Sequence, residues 1–234
     1  METHEEINRR LRQLWKDTLE PGPWPPALDK LWPIQYPPLR SGAVLFVGLN
    51  PSADLEHPVV KEYAPDLRIE RASQLDDERI ASRVLELEAE ARRRHPFFRP
   101  FNELAPDGNW EHLDVFAVRA TQQNVLKEAL QLDQGGSHFA RRQFRVFVRA
   151  VEQLQPMAIV VVNALASELI QRGGPVPDNC FHEEKGYHVW SLRGRPTPVF
   201  FSGMLTGQRA LDRYSRDRLG WHIRWALKAA ERLA

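Results

Sequence analysis

The chain has 234 residues, 42% of them hydrophobic, with a mean hydropathy of −0.48, which suits one substantial core with a small appendage. Lysine and arginine number 32 against 31 aspartates and glutamates, so bulk charge announces no nucleic-acid partner and any basic surface has to be local. One cysteine, Cys180, excludes an intramolecular disulfide framework and a four-cysteine zinc or iron–sulfur site made by a single chain. No positively charged leader with an apolar core opens the sequence, and the longest apolar run, over 157–162, is too short to span a bilayer. The expectation is a cytoplasmic protein with no membrane partner; nothing in the composition sets an oligomeric state.

In chain order, Ile7, Leu11, Leu14 and Trp15 recur at helical spacing and predict an N-terminal helix. The proline-rich stretch 21–38 follows, with Trp24 and Trp32 as its expected anchors. Residues 1–40 thus read as an extension within a single domain over 1–234. The run VLFVGLNPS then has the composition of a buried parallel strand and breaks off in Gly48-Leu49-Asn50-Pro51-Ser52. This puts Asn50 at a carboxyl end of a strand, where open α/β sheets bind ligands, and Pro51 holds Asn50 in extended backbone. An ordinary strand-to-turn exit uses the same residue types.

Residues 54–95 are long and charged, with Ile80, Val84, Leu87 and Ala91 on one narrow apolar stripe, and read as an inserted helical flap. Strands are predicted over 113–118, 157–162, 187–192 and 198–201. One helix carries Phe144, Phe147, Val148, Val151 and Leu154 on its core face, and others cover 163–172 and 208–233. This alternation predicts an α/β fold, a three-layer α/β/α sandwich with a mostly parallel central sheet.

Four strand ends then meet at one edge and deliver Asn50, the turn from Arg119 to Thr121, Asn163 and Ser202-Gly203. Amides and hydroxyls without a carboxylate pair or a Cys–His pair suit a pocket for a heteroaromatic base. The nearest approach to a metal site is Cys180, His182, Glu183 and His188, but that spacing matches no established ligand pattern. Glu184-Lys185-Gly186-Tyr187 has the composition of a hairpin turn, so neither metal nor cofactor is expected. Asn163 has a second reading as the N-cap of the helix after it.

On these residues the chain resembles the uracil-DNA glycosylase superfamily, especially its mismatch-specific uracil and thymine-DNA glycosylase branch, from about Val44 to the final helix. Gly48-Leu49-Asn50-Pro51-Ser52 is similar to the branch's Gly-Ile-Asn-Pro-Gly motif, in which the asparagine positions the attacking water. Pro96-Phe97-Phe98-Arg99-Pro100-Phe101-Asn102 resembles its Pro-Phe-x-x-Pro-x-Asn segment, whose first phenylalanine stacks under the flipped base. Val118-Arg119-Ala120-Thr121 echoes an Arg-Pro-Thr segment, and Gln155 to Asn163 echoes the third strand. The second motif, a His-Pro-Ser or Asn-Pro-Ser tripeptide before a wedge residue, is matched by Phe201-Ser202-Gly203-Met204-Leu205-Thr206 in only a serine, a glycine and an apolar residue. The insertion 54–95 has no counterpart of its length there. The chain also resembles a bacterial family with Asn-Pro-Ser followed by Leu-Phe-Ala-Leu-Arg-Ala-Thr, matched by Val115-Phe116-Ala117-Val118-Arg119-Ala120-Thr121, which brings no assigned reaction.

The resemblance implies a DNA glycosylase that hydrolyses the N-glycosidic bond of a damaged or mismatched, uracil-type base flipped from DNA. Asn50 is then the catalytic residue, and Gly48, Leu49, Pro51, Ser52, Phe97 and Asn163 line the base site. For DNA, Ser202 and Thr206 are expected to hold a phosphate near a helix N-terminus, with Gly203 between them and Met204 or Leu205 filling the space left by the base. Arg209, Arg213 and Arg216 supply the better-placed basic row, and Arg141, Arg145 and Arg149 a second. Core packing is the other reading of Met204 and Leu205, and solvated faces that of the arginines. Two further functions stay open: binding or hydrolysis of free nucleosides or nucleotides on the same fold, and a catalytically silent interaction module with 54–95 as its partner surface.

Overall fold

The computed structural model describes residues 4–19, 32–51, 58, 74, 76–120, 122–172 and 174–231. Leu45, Phe46, Ile159, Val160 and Val199 form runs buried on both faces, the pattern of strands inside a covered parallel sheet. The elements are α1 (His4–Leu19), β1 (Trp32–Pro33), β2 (Val44–Gly48), α2 (Glu78–Arg94), α3 (Arg99–Leu104), β3 (Trp110–Asp114) and β4 (Val118–Arg119). There follow α4 (Gln123–Leu130), α5 (His138–Leu154), β5 (Ala158–Val161), α6 (Ala164–Gln171), β6 (Phe181–His182), β7 (Tyr187–Leu192), β8 (Arg195–Phe201) and α7 (Arg213–Glu231).

The fold class is α/β, a mostly parallel six-stranded sheet with helices, consistent with a three-layer arrangement. The strand order is β3-β2-β5-β8-β7-β6, and β1 and β4 form a separate pair. Strands β2, β5 and β8 run parallel, with Val47 opposite Val161 and Val161 opposite Phe201, and β7 and β6 continue antiparallel from β8. Contacts divide the chain into two units, one of residues 1–39, 50–95 and 114–150, the other of 40–49, 96–113 and 151–234. Among the described residues no helix is long and apolar enough to cross a membrane.

In the second unit, alternate residues of the sheet, Val44, Phe46, Ala158, Val160 and Phe200, share a core with α3 and with Ile223, Ala226 and Leu227 of α7. Its densest contact is a parallel stack of Phe46 on Phe101, centroids 4.2 Å apart, with Trp110 edge-on to Phe101. Strand β8 starts at Arg195, earlier than predicted, because its prolines cost no ladder bond. Arg193 and Gly194, at φ +48° and +84°, make the two-residue turn that leads back from Leu192 to Arg195. Bonding residues alternate from that closing pair, so the missing N–H groups of Pro196 and Pro198 point away from β7, to the side where pairing with β5 begins only at Val199.

In the first unit, α1 buries Ile7, Leu11, Leu14 and Trp15 as its period predicted, and Trp15 packs edge-on to Phe139 of α5. Asn8 lies on the same buried face and exchanges two bonds with the backbone of Tyr36, Nδ2 donating to the carbonyl at 2.8 Å and Oδ1 accepting from the amide at 2.7 Å. The strand predicted over 113–118 is replaced by β3, which ends at Asp114, a bend, and β4, which pairs with β1. Side chains end the ladder: the Tyr36 hydroxyl takes both backbone groups of Asp114, and Gln143 Oε1 accepts from the amide of Ala117. Phe147, Val151 and Leu154 of α5 are buried as predicted, whereas Phe144 and Val148 are only half-buried and Ala140, Gln143 and Ala150 complete the core stripe. Helix α4, which carried no prediction, closes on Gln131 in the left-handed conformation. Of the flap, α2 is present with Val84 and Leu87 buried and Asp77 capping its start; residues 54–57, 59–73 and 75, like Trp24 and the side chain of Trp32, lie outside the described residues.

Phe101 has no exposure to lose, so Phe101→Ala is expected to lower the unfolding free energy by about 3–5 kcal/mol in a urea titration. The exposed Phe181→Ala is expected to stay within about 0.5 kcal/mol of the parent.

Candidate functional site

Strand β2 ends at Gly48 and Leu49 is buried, so Asn50 and Pro51 open the loop beyond a strand with no freedom left. The Asn50 side chain is fixed from its nitrogen. Nδ2 donates to the carbonyl of Pro51 at 2.9 Å and to that of Ala120 at 3.0 Å, and Ala120 N returns a bond to the Pro51 carbonyl at 3.1 Å. Both amide hydrogens face carbonyls, so the opposite flip would set Oδ1 against two oxygens. Oδ1 accepts no hydrogen bond among the described residues and is left as an oriented acceptor. The expected meeting of Asn50 with the 119–121 turn is thus present through Ala120; Ser52 and Thr121 lie outside the described residues.

Arg119, beside Ala120, forms an ion pair with Glu88 of α2, both side chains being largely buried. Asp114 is buried a few residues upstream. Burial first, then the negative charge of Glu88, push its carboxyl up to about 8, against the pull of Arg119 and Arg92. Burial likewise raises Tyr36, whose hydroxyl holds the Asp114 backbone. Sequence reasoning passed over Asp114 and Glu88. The signal was an acid inside the apolar run Leu113-Asp114-Val115-Phe116, where an ionised carboxylate would not be buried without partners.

In the second unit, the ladder continues one step past the strands, Val162 N donating to Val47 and Ser202 N to Val161, which brings Gly48, Asn163 and Ser202 to one sheet edge. Asn163 is the N-cap of α6, its Oδ1 accepting from the amides of Leu165 and Ala166 at 3.0 and 3.1 Å. Of its two readings this is the helix cap, and the oxygen already serves the helix. Phe97 lies in a single 3₁₀ turn with one side edge-on to Phe98, Phe101 and His112 and the rest half-exposed. Asn102, in the same segment, accepts from the indole of Trp110 at 2.7 Å.

The loop after β8 departs from expectation. Leu205 is 4% exposed and belongs to the core, whereas Met204 is 39% exposed, so only Met204 stands at the surface. Gly203 is held close to Leu211, where a Cβ would come within 3.2 Å of Cδ2. Helix α7 begins at Arg213, not at 208, so Arg209 precedes it. Asp212 caps its first turn, Oδ1 accepting from the amides of Tyr214 and Ser215, and the Ser215 hydroxyl on the other oxygen holds that carboxyl below its ordinary range. A carboxylate therefore occupies the helix terminus assigned to a phosphate beside Ser202 and Thr206. Arg213 lies 3.9 Å from Asp217 and Arg216 3.8 Å from Glu103. In the other row Arg141 donates to the carbonyl of Gly136, while Arg145 and Arg149 are exposed. The Cys180–His188 region is a small hairpin with Phe181 opposite His188, and among the described residues no three His, Cys, Asp or Glu side chains gather as a metal ion needs.

The raised Asp114 sets a pH dependence with a definite sign. Folded chain keeps a proton that unfolded chain loses near its ordinary pKa of about 4, so this contribution is complete below that pH and declines as pH rises towards about 8. Asp114→Asn keeps the shape of the protonated acid and cannot titrate. In urea unfolding at pH 5 and pH 8, the parent is expected to lose stability relative to this variant at the higher pH; an unchanged difference contradicts the assignment.

Against models of protein families and against curated proteins the chain finds no match.

Proposed function

We propose that the chain hydrolyses the N-glycosidic bond of a damaged or mismatched, uracil-type base in DNA, with Asn50 holding the attacking water. The observation that carries this reading is the Asn50 carboxamide, tied by Nδ2 to Pro51 and Ala120 with Oδ1 left to accept. A carboxamide is a poor base, so its work is to hold a water in line with the anomeric carbon while the bond to the base lengthens. The sugar then carries oxocarbenium-like charge, offset by neighbouring phosphates and by the departing base. A base stacked in a duplex is out of reach, so the nucleotide has to be flipped out at a cost of a few kcal/mol, smallest at a mismatch.

One observation favours a second reading, release of the base from free nucleosides or nucleotides. Leu205 is in the core and Asp212 sits on the first turn of α7, which removes a wedge candidate and a phosphate site. The two readings part on substrate: the first requires release from oligonucleotides, the second from free deoxyuridine with oligonucleotides inert.

Asn50→Ala is expected to slow base release by about 100-fold or more while oligonucleotide affinity stays near that of the parent, because a held water matters in the transition state rather than in binding. Single-turnover rates and direct binding on the same uracil-containing oligonucleotide check it. Equal rates for variant and parent remove Asn50 from the reaction.

A further inference from the structure

The outward side of α7 is the wrong side for its aromatic residues. Ile223, Ala226 and Leu227 are buried, and the positions opposite them on a 3.6-residue period are Tyr214, Arg218, Trp221, Trp225 and Lys228. An amphipathic helix places charge at the middle of that face, yet Tyr214 is 76%, Trp221 60% and Trp225 38% exposed. The two indoles lie nearly parallel, at 17°, with centroids 6.3 Å apart. His222 beside them is held by the hairpin, its Nε2 2.7 Å from the carbonyl of Lys185, so the helix is fixed under its aromatic ridge.

The charge on this helix decides what the ridge fits. From Arg213 to Glu231 it carries five cations, Arg213, Arg216, Arg218, Arg224 and Lys228, and two acids, Asp217 and Glu231. Arg213 and Arg216 face Asp217 and Glu103; Arg218 acts on the capping carboxylate of Asp212 from beyond ion-pair distance, and Arg224 and Lys228 form no ion pair with a described side chain. A second copy of the same ridge would set like charges against one another. A helix lying in a lipid surface keeps its aromatic and aliphatic residues on one face and its cations on the other, whereas here Arg218 and Lys228 share the outward face with the rings. Flat aromatic faces about 6 Å apart along the axis, interleaved with cations, match unpaired bases and the phosphates between them.

The geometry points to a binding site for single-stranded nucleic acid on the outward face of α7, with Trp221 and Trp225 stacking on bases and Arg218, Arg224 and Lys228 contacting phosphates. This site does not depend on the reaction assigned to Asn50.

Fluorescence anisotropy of a labelled oligothymidylate about twelve nucleotides long, which offers no uracil to release, tests the site by itself. The parent is expected to bind at low salt and to weaken as salt rises. Trp221→Ala with Trp225→Ala is expected to weaken binding at least about tenfold, and Phe at both positions to restore most of it, since a phenyl ring still stacks. Arg218→Gln with Arg224→Gln is expected to flatten the salt dependence by about 0.7 for each phosphate no longer neutralised. Trp221, Trp225, Arg218 and Arg224 are exposed, so these variants are expected to melt with the parent. No binding at low salt, an alanine pair that binds like the parent, or binding to anionic phosphatidylserine vesicles in place of the oligonucleotide overturns the proposal. So does a dimer of the parent in sedimentation that the alanine pair converts to monomer.

Discussion

The pair of hydrogen bonds that Asn50 Nδ2 donates to the carbonyls of Pro51 and Ala120 is the constraint on which the candidate site depends. An asparagine after a strand ordinarily turns freely or bonds its own backbone; here the carboxamide is tied to a distant segment and its oxygen has one direction. The far end of the tie is itself held. Ala120 follows Arg119, which is paired with Glu88 on α2, and β4 is paired with β1, which precedes Tyr36, the residue held by Asn8. Each of these contacts joins segments far apart in sequence, so the orientation of one carboxamide draws on α1, α2 and the β1–β4 pair together.

The same unit buries two acids close to two arginines. Glu88 has Arg119 as its partner, while Asp114 answers burial and the charge of Glu88 by holding its proton to about pH 8. A neutral carboxylic acid is far less costly to bury than an ion, which explains how an acid can stand in an apolar run at the end of β3. It also places a group that changes charge near neutral pH in the unit that carries Asn50.

Much of the fold was legible because burial leaves a strong trace in composition. The apolar runs at β2 and β5 gave their strands directly, and the spacing of Ile7, Leu11, Leu14 and Trp15 gave α1. What escaped was set by single polar contacts. The end of β3 is decided by a tyrosine hydroxyl from 78 residues away, and the start of α7 by Asp212, which looks like any acid in a charged stretch. The early start of β8 rests on which side two prolines lack their N–H groups, a matter of register that composition does not carry. At the site, the position of Asn50 after its strand was readable from Gly48 to Ser52, and so was the approach of the 119–121 turn. The cap role of Asn163 was one of two readings until its oxygen was seen on the helix amides. Asp114 and the Trp221–Trp225 ridge went unread because an acid in a strand and aromatics on a helix are usually taken as solvated or packed, and here each is the reverse.

The central question is whether a water held at Asn50 cleaves a glycosidic bond in DNA. The most direct measurement is product analysis after incubation of the parent protein with single- and double-stranded oligonucleotides carrying uracil, hypoxanthine, xanthine or mismatched thymine. Water held at Asn50 should give a free base together with an alkali-labile abasic site, and no protein–DNA adduct trapped by borohydride. Intact oligonucleotides across the whole panel, or a trapped adduct, would contradict that role.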